Sequence, residues 1–251
     1  MWTSRVGRVA RLNACLAKVT RRRCTCSASA EEAYDLHRLS GPRLTDTVGQ
    51  LKDLRIQEFK GSRYVVPSTV AFNLNGNGRT WDMIQSMGSV AIVLYHTELD
   101  AAIVVRQFRP PVWASQIGED GRKPEVEAGF TYELCAGLID KEGLSPKEIA
   151  REEILEEVGY DVELESITGI TSYVHACAHL GTEEQIFYAE VDESMRASSG
   201  GGLSDDGEAI EVFALPMGQA LSFVLESEVP KSAALIIGLQ WLLNAKRAGG
   251  K

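Results

Sequence analysis

Residues 145–159 read SPKEIAREEILEEVG, five glutamates in fifteen positions, four of them at 152, 153, 156 and 157. The ends of the stretch are helix signals. Ser145 is an N-cap followed by Pro146 at N1 and Glu148 at N3, a capping box, and Gly159 is a C′ stop. At about 100° per residue, Ala150, Ile154 and Val158 share one face and the four clustered glutamates form an arc on the other side. Like charges four residues apart destabilise a helix on its own. The arc is therefore either a solvated face or one turned toward something positive.

The flanking sequence decides the fold class. Upstream, Val90–Tyr95 and Ala102–Arg106 read as apolar strands joined by the polar turn HTELD. A loop over 115–129 leads to a strand through Tyr132–Cys135, broken at Ala136-Gly137, and the loop LIDKEGL enters the helix. Downstream, strands are expected at Leu164–Ile170, Gln185–Val191 and Ile210–Leu215, with helices at Gly218–Leu225 and Pro230–Leu243. Gly200-Gly201-Gly202 reads as a flexible loop. Residues 31–87 read as a small β-rich N-terminal segment: short strands at Tyr64–Val66 and Thr69–Leu74, then the positive-φ turn Asn75–Gly78. Antiparallel strands interleaved with a few helices indicate an α+β fold.

Composition bounds the function. The net charge is −9 over 251 residues, yet residues 1–30 hold seven basic residues and no acid, leaving −16 for the remainder. An acidic body of that kind is a poor ligand for nucleic acid, which demands Lys and Arg. No run of about 18 apolar residues suggests a membrane span. Residues 1–30 interleave Arg and Lys with Val, Leu and Ala, as in an organelle transit peptide for chloroplast or mitochondrion; the alternative is a basic tail on a cytoplasmic protein. Cys15, Cys24 and Cys26 lie there without the partners of a zinc site, and Cys135 and Cys177 suggest no disulfide framework, which fits a reducing compartment.

Glu153 and Glu157 stand one turn apart, so both carboxylates can converge on one cation. An all-oxygen set suits Mg²⁺ or Mn²⁺ better than zinc. At this point the chain resembles the Nudix hydrolases, whose motif runs G-x5-E-x7-R-E-U-x-E-E-x-G-U. Residues 137–160 read GLIDKEGLSPKEIAREEILEEVGY. The terminal part matches in full through Glu153, Ile154, Glu156, Glu157 and Gly159. The front departs: one residue is inserted, Leu144 stands for the middle glutamate, and Glu152 stands for the arginine. The family uses those two residues to brace the motif's loop against its helix. Gln107–Pro110, Glu133–Leu138, Gly200–Asp206 and Gly238–Leu242 further resemble the UDP-glucose/ADP-sugar diphosphatase branch, close to ADP-ribose diphosphatase, over roughly residues 80–245.

The resemblance implies a Nudix fold, mixed β-sheets sandwiched between helices, over 88–245, and a dimerising segment over 31–87 in a homodimer. It implies Mg²⁺-dependent cleavage of a nucleoside diphosphate sugar. The alternatives are an ADP-ribose diphosphatase and an inactive nucleotide-binding module. It further implies metal ligands at Glu153, Glu156, Glu157 and the Ala136 carbonyl, with Glu157 also catalytic. Glu208 would be the loop acid that activates water or holds metal, Asp206 the second candidate, Arg109 a diphosphate ligand and Trp81 a base platform. Glu152 stays outside the metal set, Glu133 is read as a strand residue near the metal, and His175 and His179 as loop residues at the substrate rim.

Overall fold

A computed structural model describes residues 30–203 and 207–249. In chain order the elements that frame the site are α1 (Ala30–Ala33), β1 (His37–Ser40), α2 (Leu44–Gln50), β2 (Val66–Leu74), β3 (Asn77–Gln85), β4 (Ser89–His96), β5 (Ala101–Phe108), α3 (Pro110–Ala114), β6 (Phe130–Glu133) and β7 (Cys135–Leu138). They continue with α4 (Pro146–Glu153), β8 (Thr168–Val174), β9 (Glu183–Val191), β10 (Glu211–Pro216), α5 (Met217–Leu225) and α6 (Ala233–Gly249). The architecture is α+β: an eight-stranded mixed sheet ordered β1-β10-β5-β4-β9-β8, with β6 on β5 and β7 on β4, and a separate hairpin β2-β3.

Apolar residues on both faces of the central strands explain the layering. Along β4, Val90, Ile92 and Leu94 face α4, whereas Ala91, Val93 and Tyr95 face α5 and α6, so the strand reads as continuously apolar. Gly238 lets α6 approach closely, since a Cβ there would lie 2.6 Å from Val93. Among the described residues no helix is long and apolar enough to cross a membrane.

The sheet opens at its centre. β4 pairs with β5 only over Leu94–His96 and Ala101–Ile103. Beyond that the two strands diverge, and β7 pairs with the free half of β4 while β6 pairs with that of β5. The chain from β7 then climbs into α4, which lies over this fork.

Three local expectations change. The break in the Tyr132–Gly137 stretch falls at Leu134, and Ala136 and Gly137 lie inside β7. The expected strand Leu164–Ile170 begins as a 3₁₀ turn at Leu164–Ser166, with β8 starting at Thr168, because the exposed side chains of Glu163 and Glu165 favour a turn at the surface. Tyr64–Leu74 forms one strand from Val66 rather than two, its Pro67 tolerated on an outer hairpin. Residues 31–87 also carry two short helices that flank β1, and β1 joins the main sheet through β10. That junction is fixed by buried Arg106, which donates from Nε to Glu211 (2.8 Å) and also reaches Glu31 and the Tyr132 hydroxyl, while Glu211 accepts from the Leu44 amide.

Candidate active site

The capping box forms as read: the Ser145 hydroxyl accepts from the Glu148 amide and the Glu148 carboxylate accepts from the Ser145 amide. The other end departs from a regular α-helix. After Glu153 the backbone widens into a π-turn over Ile154–Val158, closed by the Gly159 amide donating to the Ile154 carbonyl (3.0 Å), with Gly159 at φ +87°. Such turns are rare and concentrate at functional sites. Ile154 and Val158 remain fully buried with Ala150. Glu157, however, does not share an exposed arc: it is only 4% exposed and turned toward β7, where it accepts from the Ala136 amide (3.0 Å).

Glu153 lies over the same strand. A Cβ on Gly137 would stand 2.1 Å from its carboxylate oxygen, so the glycine that opens the motif is the space Glu153 occupies. Burial first, then the Glu153 charge, pushes the Glu157 carboxyl up to about 8, against the lowering effect of the Ala136 amide and the Cys135 thiol. Glu153 is pushed up to about 7 by burial and by Glu156, with Lys141 opposing. Glu208 adds to both. Carboxylates displaced upward together are groups whose shared ionisation lacks a counter-charge.

Glu156 is half-buried and pairs with Lys141 at 3.3 Å; the same ammonium pairs with Glu152 at 2.7 Å. As placed, no three His, Cys, Asp or Glu side chains among the described residues stand in ligating geometry together. The donor chemistry nonetheless fits a hard divalent ion: Glu153, Glu156 and Glu157 offer carboxylate oxygens, and a cation among them would offset the burial and repulsion that oppose their ionisation.

Arg109 follows β5 and forms a fork to Glu133, Nε to Oε1 at 2.8 Å and Nη2 to Oε2 at 2.7 Å. Glu133, 9% exposed at the end of β6, also accepts from Thr131. The Glu133 pairing, then the Glu157 and Glu208 charges, raise the Arg109 pKa despite burial, so the guanidinium belongs to the same electrostatic cluster. Glu208 is exposed and accepts from the Leu203 amide at 2.9 Å. Asp206 lies outside the described residues. Trp81 is 46% exposed on β3 and donates from its indole to the Ala178 carbonyl at 2.6 Å. That bond ties the hairpin to the turn carrying His175 and His179, and no contact described for Trp81 brings it to the carboxylates.

The glycine run is not the free loop expected. Gly201 donates to the Glu157 carbonyl at 2.8 Å and Gly202 to the Glu156 carbonyl at 3.1 Å, capping the end of the glutamate helix. All three glycines have positive φ, and a Cβ on Gly200 would lie 2.6 Å from the Glu157 carbonyl. A Cβ on Gly202 would lie 2.7 Å from the Glu208 carboxylate. One short segment therefore grips the backbone of two glutamates and seats the loop acid. Reading the run as flexible missed this, although consecutive glycines ahead of an acid also signal close backbone approach. Lys141 and Cys135 were missed as well, since a lone lysine in a loop and a lone cysteine in a strand carry no pattern.

Comparison with known proteins places these features. No family model matches the chain. Uridine diphosphate glucose pyrophosphatase NUDT14 of Bos taurus is 34% identical over 216 residues, 80% of this chain and 97% of that protein. The Mus musculus protein of the same name is 30% identical over 199 residues, 73% of this chain and 90% of its own length. GDP-mannose pyrophosphatase of Klebsiella pneumoniae is 34% identical over 167 residues, 63% of this chain and 72% of its own. With the terminal half of the motif intact on its helix and relatives of this kind spanning most of the chain, the protein belongs to the Nudix hydrolase family.

Proposed function

We propose that the protein hydrolyses the diphosphate bond of a nucleoside diphosphate sugar, releasing a nucleoside monophosphate and a sugar 1-phosphate. The observation that carries this reading is the meeting of Glu153 and Glu157 at β7, where Gly137 leaves the room the Glu153 carboxylate fills and the Ala136 amide donates to buried Glu157. Glu153, Glu156, Glu157 and the Ala136 carbonyl would hold Mg²⁺, with Mn²⁺ as a substitute. Such an ion neutralises the diphosphate and acidifies a bound water.

The remaining roles fall to side chains around that cluster. Glu208, exposed beside the buried pair, is the acid suited to take the proton of the attacking water, with Asp206 its alternate; seated by Gly202 and Leu203, it needs little reorganisation to do so. Arg109 supplies a planar fork for the diphosphate oxygens, its present partner Glu133 holding the guanidinium in line. Trp81 would stack on the base, and the β2-β3 hairpin would pair two protomers in a homodimer, with Val70, Phe72 and Ile84 among the apolar side chains it leaves exposed. Residues 1–30 would direct the chain to an organelle. They lie, apart from Ala30, outside the described residues.

The relatives act, by their names, on UDP-glucose and GDP-mannose, which supports a sugar nucleotide as substrate here. The test is to supply UDP-glucose, GDP-mannose, ADP-glucose or ADP-ribose with Mg²⁺ or with EDTA and to follow nucleoside monophosphate release. Metal-dependent turnover of a nucleotide sugar is expected. Turnover of ADP-ribose alone would make the protein an ADP-ribose diphosphatase, and turnover of none would make it a binding module.

A further inference from the structure

The motif of this chain lacks the acid and the arginine that brace loop to helix elsewhere in the family, Leu144 and Glu152 standing in their places. Something else must hold a loop of one extra residue against α4. Leu144 packs with Ile139 against the apolar core under the helix, so the loop is pinned near both ends by side chains that carry no charge. Gly143, at φ +86°, turns the chain between them. Lys141 then reaches the helix, its Nζ 2.7 Å from Glu152 and 3.3 Å from Glu156. Those two glutamates stand four residues apart on one stripe and would repel each other. A single ammonium answers both, and the two acids raise its pKa in spite of the desolvation that lowers it.

We propose that Lys141 is a positioning residue: a brace of reversed polarity, base on the loop and acid on the helix, that replaces the missing ion pair and orients Glu156 toward the metal site. Glu152, at the arginine position of the motif, is the helix end of that brace. The inference rests on the reading of Glu156 as a ligand. The rival is a lysine that merely adds a nearby positive charge. The two differ in sign. A nearby charge repels an incoming cation, so its loss tightens metal binding, and loss of the Glu152 charge weakens it. Loss of a brace weakens binding whichever partner is removed.

The experiment measures Mn²⁺ binding to the metal-free full chain by calorimetry, without substrate, for Lys141→Met, Glu152→Gln and the double variant. Amide hydrogen exchange over residues 139–144 is followed in the same samples without metal. Each single change should weaken Mn²⁺ binding roughly two- to fivefold, the range of a partly exposed ion pair. The double should be no weaker than either single, and exchange over the loop should quicken equally in all three. Tighter binding in Lys141→Met with additive recovery in the double would overturn the brace, as would unchanged loop exchange. Absence of Mn²⁺ binding in the parent protein would instead overturn the metal reading, and the exchange result would still decide the brace.

Discussion

Replacing Glu157 by Gln should make the metal-free protein more stable at alkaline pH while abolishing its metal response. The Glu157 carboxyl is held at about 8, far above the ordinary carboxylate range, chiefly by burial. An acid raised in this way binds its proton more tightly in the folded chain, so its contribution is intact below the ordinary range and is lost as pH rises through about 8. Each decade is worth about 1.4 kcal/mol, so ionising Glu157 costs the fold on the order of 5 kcal/mol; Glu153 shares the same repulsion, and the two do not simply add. Gln keeps an oxygen to accept from the Ala136 amide and removes the charge. For a chain of this size ~5 kcal/mol corresponds to roughly 10 °C in Tm. Melting curves in EDTA from pH 5 to pH 9 should therefore fall for the parent protein and fall less for Glu157→Gln, the curves crossing so that the variant is the more stable at pH 9. Adding Mg²⁺ at pH 8 should raise the parent Tm and leave the variant's unchanged. Parallel pH profiles for the two proteins, or a variant less stable at pH 9, would mean that Glu157 does not carry a raised pKa in the folded chain.

Gly137→Ala should leave Tm within a few degrees but cut turnover about 100-fold, since the new methyl occupies the position of the Glu153 carboxylate and a displacement near 1 Å is enough for such a loss. Arg109→Lys should raise KM for the nucleotide sugar roughly ten- to hundredfold in steady-state assays, with Tm little changed, because one fork of charged hydrogen bonds is lost. Arg106→Met should lower stability by about 3–5 kcal/mol in urea titrations by leaving buried Glu211 with only the Leu44 amide and the Arg38 guanidinium 3.9 Å away, and Arg106→Met with Glu211→Gln should recover part of it. Residues 1–30 fused to a fluorescent reporter should carry it to an organelle; diffuse fluorescence would reject the targeting role.

Legibility varied with the kind of signal. The glutamate helix was readable to the residue at its start, because a capping box is a local pattern with a local cause. Its end was not. The π-turn depends on what Glu157 meets at β7, a contact across 21 residues, and a fixed 100° per residue placed that side chain in the exposed arc. The α+β class and the central strands followed from apolar runs of strand length, but the fork between β4 and β5 is a matter of pairing, which periodicity does not encode. The glycine run showed its composition and hid its contacts. Lys141 illustrates the limit best: its meaning lies in two acids 11 and 15 residues away, and no local pattern links a loop lysine to them.

The carboxylates at one helix end, buried Glu157 with Glu153 and Glu156, would make this chain a metal-dependent diphosphatase. The most direct measurement is turnover of UDP-glucose under saturating Mg²⁺ by the parent protein, Glu153→Gln and Glu157→Gln, with products identified by phosphorus NMR. UMP and glucose 1-phosphate are expected from the parent, none in EDTA, with losses of at least about 100-fold in each variant, the scale of losing a charge that serves the transition state. Full turnover by either variant, or by the parent protein in EDTA, would contradict that role for the carboxylates.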